Sequence, residues 1–162
     1  MPDQYYEAPF GKSIVRRSGT DATIVANSYM VVEALKAADF LAKHGIEVEI
    51  VDPVSLVPLD ENTILQSVRK THRLLVVDTS WTNCGVSAEI AARVSEKAFD
   101  ALTGPVRRMG MAPVVCPVAR GLEEAFYPNA KTVAKTICEM LGREFPDDAE
   151  VPILTSQFKG PF

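Results

Sequence analysis

Short β-branched runs alternate with amphipathic helical patterns along most of the chain, and this alternation restricts the fold more than any other feature. Runs such as Thr23-Ile-Val-Ala26 and Leu74-Leu-Val-Val77 are apolar without a break, so both of their faces need cover. A parallel sheet between helices provides it, and the expected class is α/β. Further strands are expected at Ser13–Arg17, Glu47–Val51 and Val106–Met109. Ser13–Arg17 and Thr23–Ala26 flank Ser18-Gly-Thr-Asp21, so the first pair reads as a hairpin with one edge strand antiparallel to the rest.

The spacing predicts a first helix from about Tyr29 to His44, capped by Ser28 and stopped by Gly45, with Leu35, Ala38, Leu41 and Ala42 inward. A second starts at Asp60, buries Ile64, Leu65 and Val68, and ends with Lys70 and His72 at the negative end of its dipole. A third, about Ser87 to Leu102, buries Ala91, Val94, Ala98 and Leu102. A fourth begins at Asn129 as cap and carries Ala130, Val133, Ala134, Ile137 and Leu141 on one stripe. Between Gly110 and Pro128 the period fails, which predicts a long ordered loop with a helical turn near Leu122–Phe126.

Three segments result: an N-terminal arm over 1–11, one domain over 12–142 and a tail over 143–162. The tail reads as an extended arm laid on a neighbouring surface or as a disordered end, with Phe158 and Phe162 as contact residues in the first case.

A chain of 162 residues with 47% apolar and 23% charged side chains supports one core and is not disordered. Its net charge of −4 gives phosphate backbones no basic field, which argues against nucleic acid. No apolar run approaches the ~20 residues of a membrane span, and no leader pattern opens the chain, so neither membrane insertion nor export is expected. Cys84, Cys116 and Cys138 form no C-x-x-C pair, which argues against a disulfide framework or zinc site and favours a reduced, cytoplasmic setting.

Chemistry in such a sheet gathers where loops leave the carboxyl ends of the strands. The candidates for a small-anion site there are Asn27, Ser28, Ser55, Thr79 and Asn83, and the plainer reading is that they satisfy loops and cap helices. The segment Asp78-Thr-Ser-Trp-Thr-Asn-Cys-Gly85 is read as a loop leading into a helix, in which either backbone N–H groups cradle an anion or Thr79, Ser80 and Asn83 simply satisfy the loop and cap the helix. Cys84 in it is a candidate thiolate, and Trp81 is either an interface anchor or part of the core. Gly85-Val-Ser87-Ala-Glu89 half-matches a nucleophile elbow, but no histidine follows it, and Ser67-Val-Arg-Lys70 falls inside a helical pattern. His44 and His72 read as helix-end cations. The chain lacks the phosphate loop, the dinucleotide fingerprint, His-Glu-x-x-His and the Gly-Asp-Gly…Asn-Asn element that binds thiamin diphosphate through magnesium.

Several stretches resemble one family in order and spacing. They are Tyr5-Tyr-Glu-Ala-Pro-Phe-Gly-Lys12, Asp21–Ala26, Val31–Ala38, Gly45–Asp52, Val57-Pro-Leu-Asp60 with Thr63-Ile64, Leu75–Asp78, Ala88–Arg93, Pro105–Arg108 and Leu122–Asn129. Together they resemble the C-terminal domain of the transketolase superfamily, and most of all the beta subunits of pyruvate and branched-chain 2-oxoacid dehydrogenases. The resemblance implies a three-layer sandwich around a five-stranded, mostly parallel sheet with an antiparallel edge strand. It implies that thiamin diphosphate and Mg are held by other domains or by an alpha subunit. This chain would then have no catalytic, cofactor-binding or metal-binding residue of its own. It would support assembly, as a homodimer and in docking a dihydrolipoyl acyltransferase component.

Asn27-Ser28-Tyr29 stands where the family commonly has Thr-Tyr-Gly, and Pro53-Val54 precedes Ser55 where it has an arginine, so an ion pair is expected to be lost. Cys116-Pro-Val-Ala-Arg120 replaces Pro-x-x-Tyr-Ser, leaving Arg120 a substitute cation or a bystander. A second reading is a free-standing flavodoxin-like module that binds a small anion or nucleotide around Asn27, Ser55 and Thr79.

Overall fold

The computed structural model describes Glu7 and residues 10–146. The elements run β1 (Ile14–Arg17), β2 (Ala22–Ala26), α1 (Met30–Lys43), β3 (Val48–Asp52), α2 (Glu61–Thr71), β4 (Leu74–Trp81) and α3 (Val86–Ala98), which a 3-10 turn over Phe99–Ala101 extends. Then come β5 (Arg107–Met111), α4 (Arg120–Phe126) and α5 (Ala130–Leu141). The five strands form one sheet in the order β1-β3-β2-β4-β5, with β1 antiparallel and the others parallel. Phe158 and Phe162 lie outside the described residues, as do most of the expected arm and tail.

Alternation along each strand sorts the core into two halves. Ile24, Ile50, Leu75 and Val77 face α1 and α5, where they meet Ala34, Leu41, Val133 and Ile137. Val25, Val51, Leu74 and Val76 face α2 and α3, against Ile64, Val68, Ile90 and Val94. Both faces are therefore covered, which accounts for the unbroken apolar runs. Thr23 is one of the buried polar residues of the strands: its hydroxyl bonds Ser67 at 2.7 Å and Thr71 at 2.6 Å, tying the start of β2 to α2.

The expected hairpin is not formed. β2 is paired on both sides by parallel neighbours, so β1 passes beyond β3 and pairs with it, Ile14 opposite Asp52. The connector reaches β2 by lying across the start of β3, where the N–H groups of Thr20 and Asp21 both donate to Glu47 O. A Cβ on Gly19 would stand 2.2 Å from the Val48 carbonyl carbon, so this crossing requires glycine.

Asp60 caps α2 as expected, accepting the Thr63 N–H, and Asn129 caps α5 in a reciprocal capping box with Thr132. Ser28 does not cap α1. Its φ of 53° is left-handed, whereas a cap needs extended backbone, and Tyr29 takes the N-cap position without a side-chain bond. The buried stripe of α1 is Ala34, Ala37, Ala38, Phe40 and Leu41, with Leu35 and Ala42 only half-buried. On α3 the buried residues include Ile90, Val94 and Ala98, with Ala91 and Leu102 half-buried.

Candidate functional site

Four loops leave the carboxyl end of the sheet, and one open cleft of about 550 Å³ lies among them. It is lined by Arg16, Asn27, Ser28, Val31, Asp52, Val54 and Leu56, contributed by β1, the end of β2, the start of α1 and the end of β3. Two of the expected anion-site residues, Asn27 and Ser28, line it. The other three do not. Ser55 donates its hydroxyl to Pro58 O within its own loop, the Thr79 N–H donates to Asp78 Oδ1, and Asn83 is exposed on the turn before α3.

At the cleft floor, Arg16 Nε and Nη2 donate to Asp52 Oδ2 at 3.0 and 2.7 Å, and the Val54 N–H donates to Asp52 Oδ1 at 3.0 Å. The Asp52 side chain is 13% exposed. Asp52 is paired with a guanidinium that β1 supplies from the edge strand. Sequence reading missed Arg16, and the signal for it was its place on a strand that pairs β3 only through the crossing connection.

Two non-glycine residues on the cleft have left-handed backbone, Ser28 (φ 53°) and Val54 (φ 62°). For β-branched Val54 this is a rare conformation. Tyr29, by contrast, is right-handed, so the missing family glycine costs nothing at that position. Asn27 is 8% exposed and its Nδ2 is buried with no hydrogen-bond partner.

The backbone does not cradle an anion at α1. The N–H groups of Met30, Val31 and Val32 donate to the carbonyls of Asn27, Ser28 and Tyr29 at 3.0–3.1 Å, so the first turn satisfies itself. Tyr29 instead donates its hydroxyl to Glu33 Oε1 at 3.1 Å. Partial burial, and then the Glu33 charge and hydrogen bond, push its phenol up to about 12.

The segment from Asp78 is not a loop. β4 continues through Asp78, Thr79 and Ser80 to Trp81, with a register break against β5 between Val77 and Trp81. Two glycines permit this. A Cβ on Gly85 would meet Trp81 O at 2.0 Å, and one on Gly110 would meet Ser80 O at 2.3 Å. Ser80 also donates its hydroxyl to Asp78 Oδ2. Trp81 is 53% exposed, so it is not part of the core. Cys84 is exposed with a left-handed φ of 57°, next to the Gly85 cap of α3.

Ser87 is 1% exposed within α3, so it is no nucleophile elbow. Ser67 is bonded inside the α2 face, while Lys70 is paired with Glu49. His44 and His72 sit at helix ends, with Nδ1 on Phe40 O and Ala101 O respectively. Cys116 Sγ lies 3.9 Å from Tyr127 OH, and Arg120 opens α4. Among the described residues, no three His, Cys, Asp or Glu side chains converge to hold a metal ion, and no helix is long and apolar enough to cross a membrane.

Residues 11–133 match the family described as transketolase, C-terminal domain. The chain is 38% identical over 142 residues to the acetoin:2,6-dichlorophenolindophenol oxidoreductase subunit beta of Bacillus subtilis (strain 168), covering 88% of this chain and 42% of that one. It is 44% identical over 134 residues to the mitochondrial pyruvate dehydrogenase E1 component subunit beta of Ascaris suum, covering 82% and 37%. A solved structure described as split gene transketolase, inactive beta4 tetramer, matches with a TM-score of 0.73 at 28% identity, over 90% of this chain and 45% of that one. The chain therefore spans about two-fifths of the length of these curated relatives. Fold and sequence agree over the same residues: the chain belongs to the transketolase C-terminal domain family.

Proposed function

We propose that this chain is the assembly and docking portion of a thiamin diphosphate-dependent 2-oxoacid dehydrogenase beta subunit or transketolase-like enzyme, and is not catalytic by itself. The observation that carries the reading is where apolar surface is exposed. Of the exposed large apolar side chains among the described residues, all but Val15 and Phe99 lie at one end of the molecule. That end is where the parallel strands finish and antiparallel β1 begins. Tyr29 and Val32 follow β2, Leu56 and Val57 follow β3, Trp81 tips β4, and Val115 and Val118 follow β5. An apolar end of this kind marks an interaction surface.

In this reading residues 12–142 form the domain, 1–11 the arm and 143–162 the tail. The partners are thiamin-binding domains or an alpha subunit on other polypeptide, a second copy in a homodimer, and a dihydrolipoyl acyltransferase component. The free thiols of Cys84, Cys116 and Cys138 fit the cytoplasm or another reducing compartment. Thiamin diphosphate and Mg would be held by those other domains or the alpha subunit; among the described residues of this chain no three His, Cys, Asp or Glu side chains converge on a metal ion. The flavodoxin-like alternative finds no support in the relatives or in the self-satisfied first turn of α1.

Sedimentation at rising concentration tests the reading. Val57 and Val115 are 87% and 89% exposed, so Val57→Glu and Val115→Glu leave the core untouched. The expected result is self-association that the double variant weakens. A monomer at high concentration, or a calorimetric binding signal with thiamin diphosphate and Mg on the isolated chain, overturns it.

A further inference from the structure

We propose that β1 is a detachable strap: it opens as a unit when the carboxylates that clasp it are protonated, while β2 to β5 and both layers of helices stay folded. The inference goes beyond the assembly reading and does not depend on it.

The starting point is how little of β1 is in the core. β2 and β3 are buried along their whole length, whereas no residue of Ile14–Arg17 is buried and neither Ile14 nor Val15 belongs to either half of the core. From Lys12 to Thr20 only Gly19 is buried. β1 also pairs on one side alone, with a register break between Val15 and Arg17. Little apolar area holds the strand, and its departure takes no side chain out of either half of the core.

Carboxylates hold it instead. The Ser13 N–H donates to Asp60 Oδ2 at 3.0 Å, and Arg16 is paired with Asp52. Arg17 reaches Asp39 on α1 at 2.7 Å and Glu47 at 3.1 Å. Where the strand ends, the Ser18 hydroxyl and the Gly19 N–H both donate to Glu49 Oε2 at 3.4 Å. Acids from α1, from β3 and from the segments before β3 and α2 thus grip one short strand at both ends. The other charged groups facing them are Lys12 beside Asp60, Lys70 of α2 on Glu49, and Asp21, which accepts the Glu47 N–H.

The clasps respond differently to solvent. Asp39 and Glu47 are exposed, so salt screens the Arg17 pairs. Glu49, Asp52 and Asp60 are buried and form the latch. Burial raises the Asp60 and Glu49 carboxyls, yet bonds that include those from Ser13 and Gly19 bring both below their ordinary values. A proton taken up by either therefore favours release; the hold is complete above those values and weakens as pH falls below them. Release bares the outer edge of β3, a row of unpaired backbone groups.

Amide hydrogen exchange on the ¹⁵N-labelled 162-residue chain tests this at pH 7 and pH 4, corrected for intrinsic exchange, with far-ultraviolet dichroism checking that the helices persist. Between the two, protection of the β1 amides bonded to β3 should fall at least about tenfold more than that of Ile24 in β2 and Val76 in β4. Asp60→Asn with Glu49→Gln removes the charges and keeps the sizes, so β1 should lose protection at pH 7 while Val76 keeps its own. Val68 is fully buried beneath α2, and Val68→Ala should do the reverse, lowering Ile24 and Val76 through global unfolding and leaving β1 unchanged. The proposal is overturned if β1 and β4 lose protection together on acidification, if β1 is already unprotected at pH 7, if Val68→Ala lowers β1 as much as β4, or if the double variant leaves β1 protected.

Discussion

Glu33 on α1 accepts a hydrogen bond from the backbone N–H of Ala130, the first residue of α5, at 2.8 Å through Oε2. Its other oxygen takes Lys36 Nζ at 2.9 Å and the Tyr29 hydroxyl at 3.1 Å, and the residue is only 2% exposed. One carboxylate thus fastens two helices on the same face of the sheet, at the positive end of α5. Replacing Glu33 by Ala leaves a buried N–H unmet and should cost about 1–3 kcal/mol. Lys36→Met should cost less, because the Ala130 and Tyr29 bonds remain. Urea unfolding of the two variants checks the order.

Tyr29 should ionise well above an ordinary phenol. With its phenol pushed up to about 12 in the folded chain, the folded state holds a proton that the unfolded state loses near 10. The associated stability is complete below 10 and disappears as pH rises towards 12. Absorbance titration should show a late phenol that Glu33→Gln moves earlier.

At acid pH the sign reverses. Burial pushes the Asp60 carboxyl up, but hydrogen bonds from Ser13 and Thr63 outweigh it and hold the group below its ordinary value of 3.8. Glu49 behaves alike: burial opposes, and bonds from Lys70 and Ser67 with the Lys70 charge prevail, leaving it below 4.5. Unfolding therefore takes up protons, so this stability is present above those values and is lost as pH falls below them. Thermal unfolding from pH 7 to 3 should show a steep loss that flattens in Asp60→Asn. Asp60→Ala should also lose about 1 kcal/mol at neutral pH, the worth of a helix cap.

Gly85 and Gly110 flank the far end of β4, where an added methyl group would overlap Trp81 O and Ser80 O. Gly85→Ala and Gly110→Ala should each cost about 1–3 kcal/mol. Gly121 in α4 meets nothing within 4 Å, and Gly121→Ala should gain about 0.5–1 kcal/mol from helix propensity. Calorimetric midpoints of the three variants separate crowding from backbone entropy.

Val54 carries a β-branched side chain at φ 62° while 44% exposed. Asparagine tolerates that backbone far better, so Val54→Asn should stabilise the chain by about 1 kcal/mol. An unchanged or lower unfolding midpoint would show the strain is relieved elsewhere.

The layers, the helices and most buried positions were legible because periodicity reports burial, and burial builds an α/β sandwich. Asp60 and Asn129 were legible as caps because a cap is a local device. The β1–β3 pairing was not, since Ser18–Asp21 looks like a turn until the demands of a doubly paired β2 are considered. The reach of β4 to Trp81 was hidden too: Asp78, Thr79 and Ser80 have turn-like composition, and only Gly85 and Gly110 hinted that backbones close in around them. Of the cleft, Asn27 and Ser28 were visible at a strand end. Arg16 was not, because it arrives from a non-adjacent element. The Phe158 and Phe162 expectation lies beyond the described residues.

The unbroken run of β4 from Leu74 to Trp81 has a mechanical consequence. The backbone beneath the Trp81 indole is fixed by its pairing with Met111 before anything touches the ring, unlike that beneath an indole on a floppy hairpin. Contact there forfeits little backbone entropy, because the strand that carries the ring is ordered by the two packed layers it runs between.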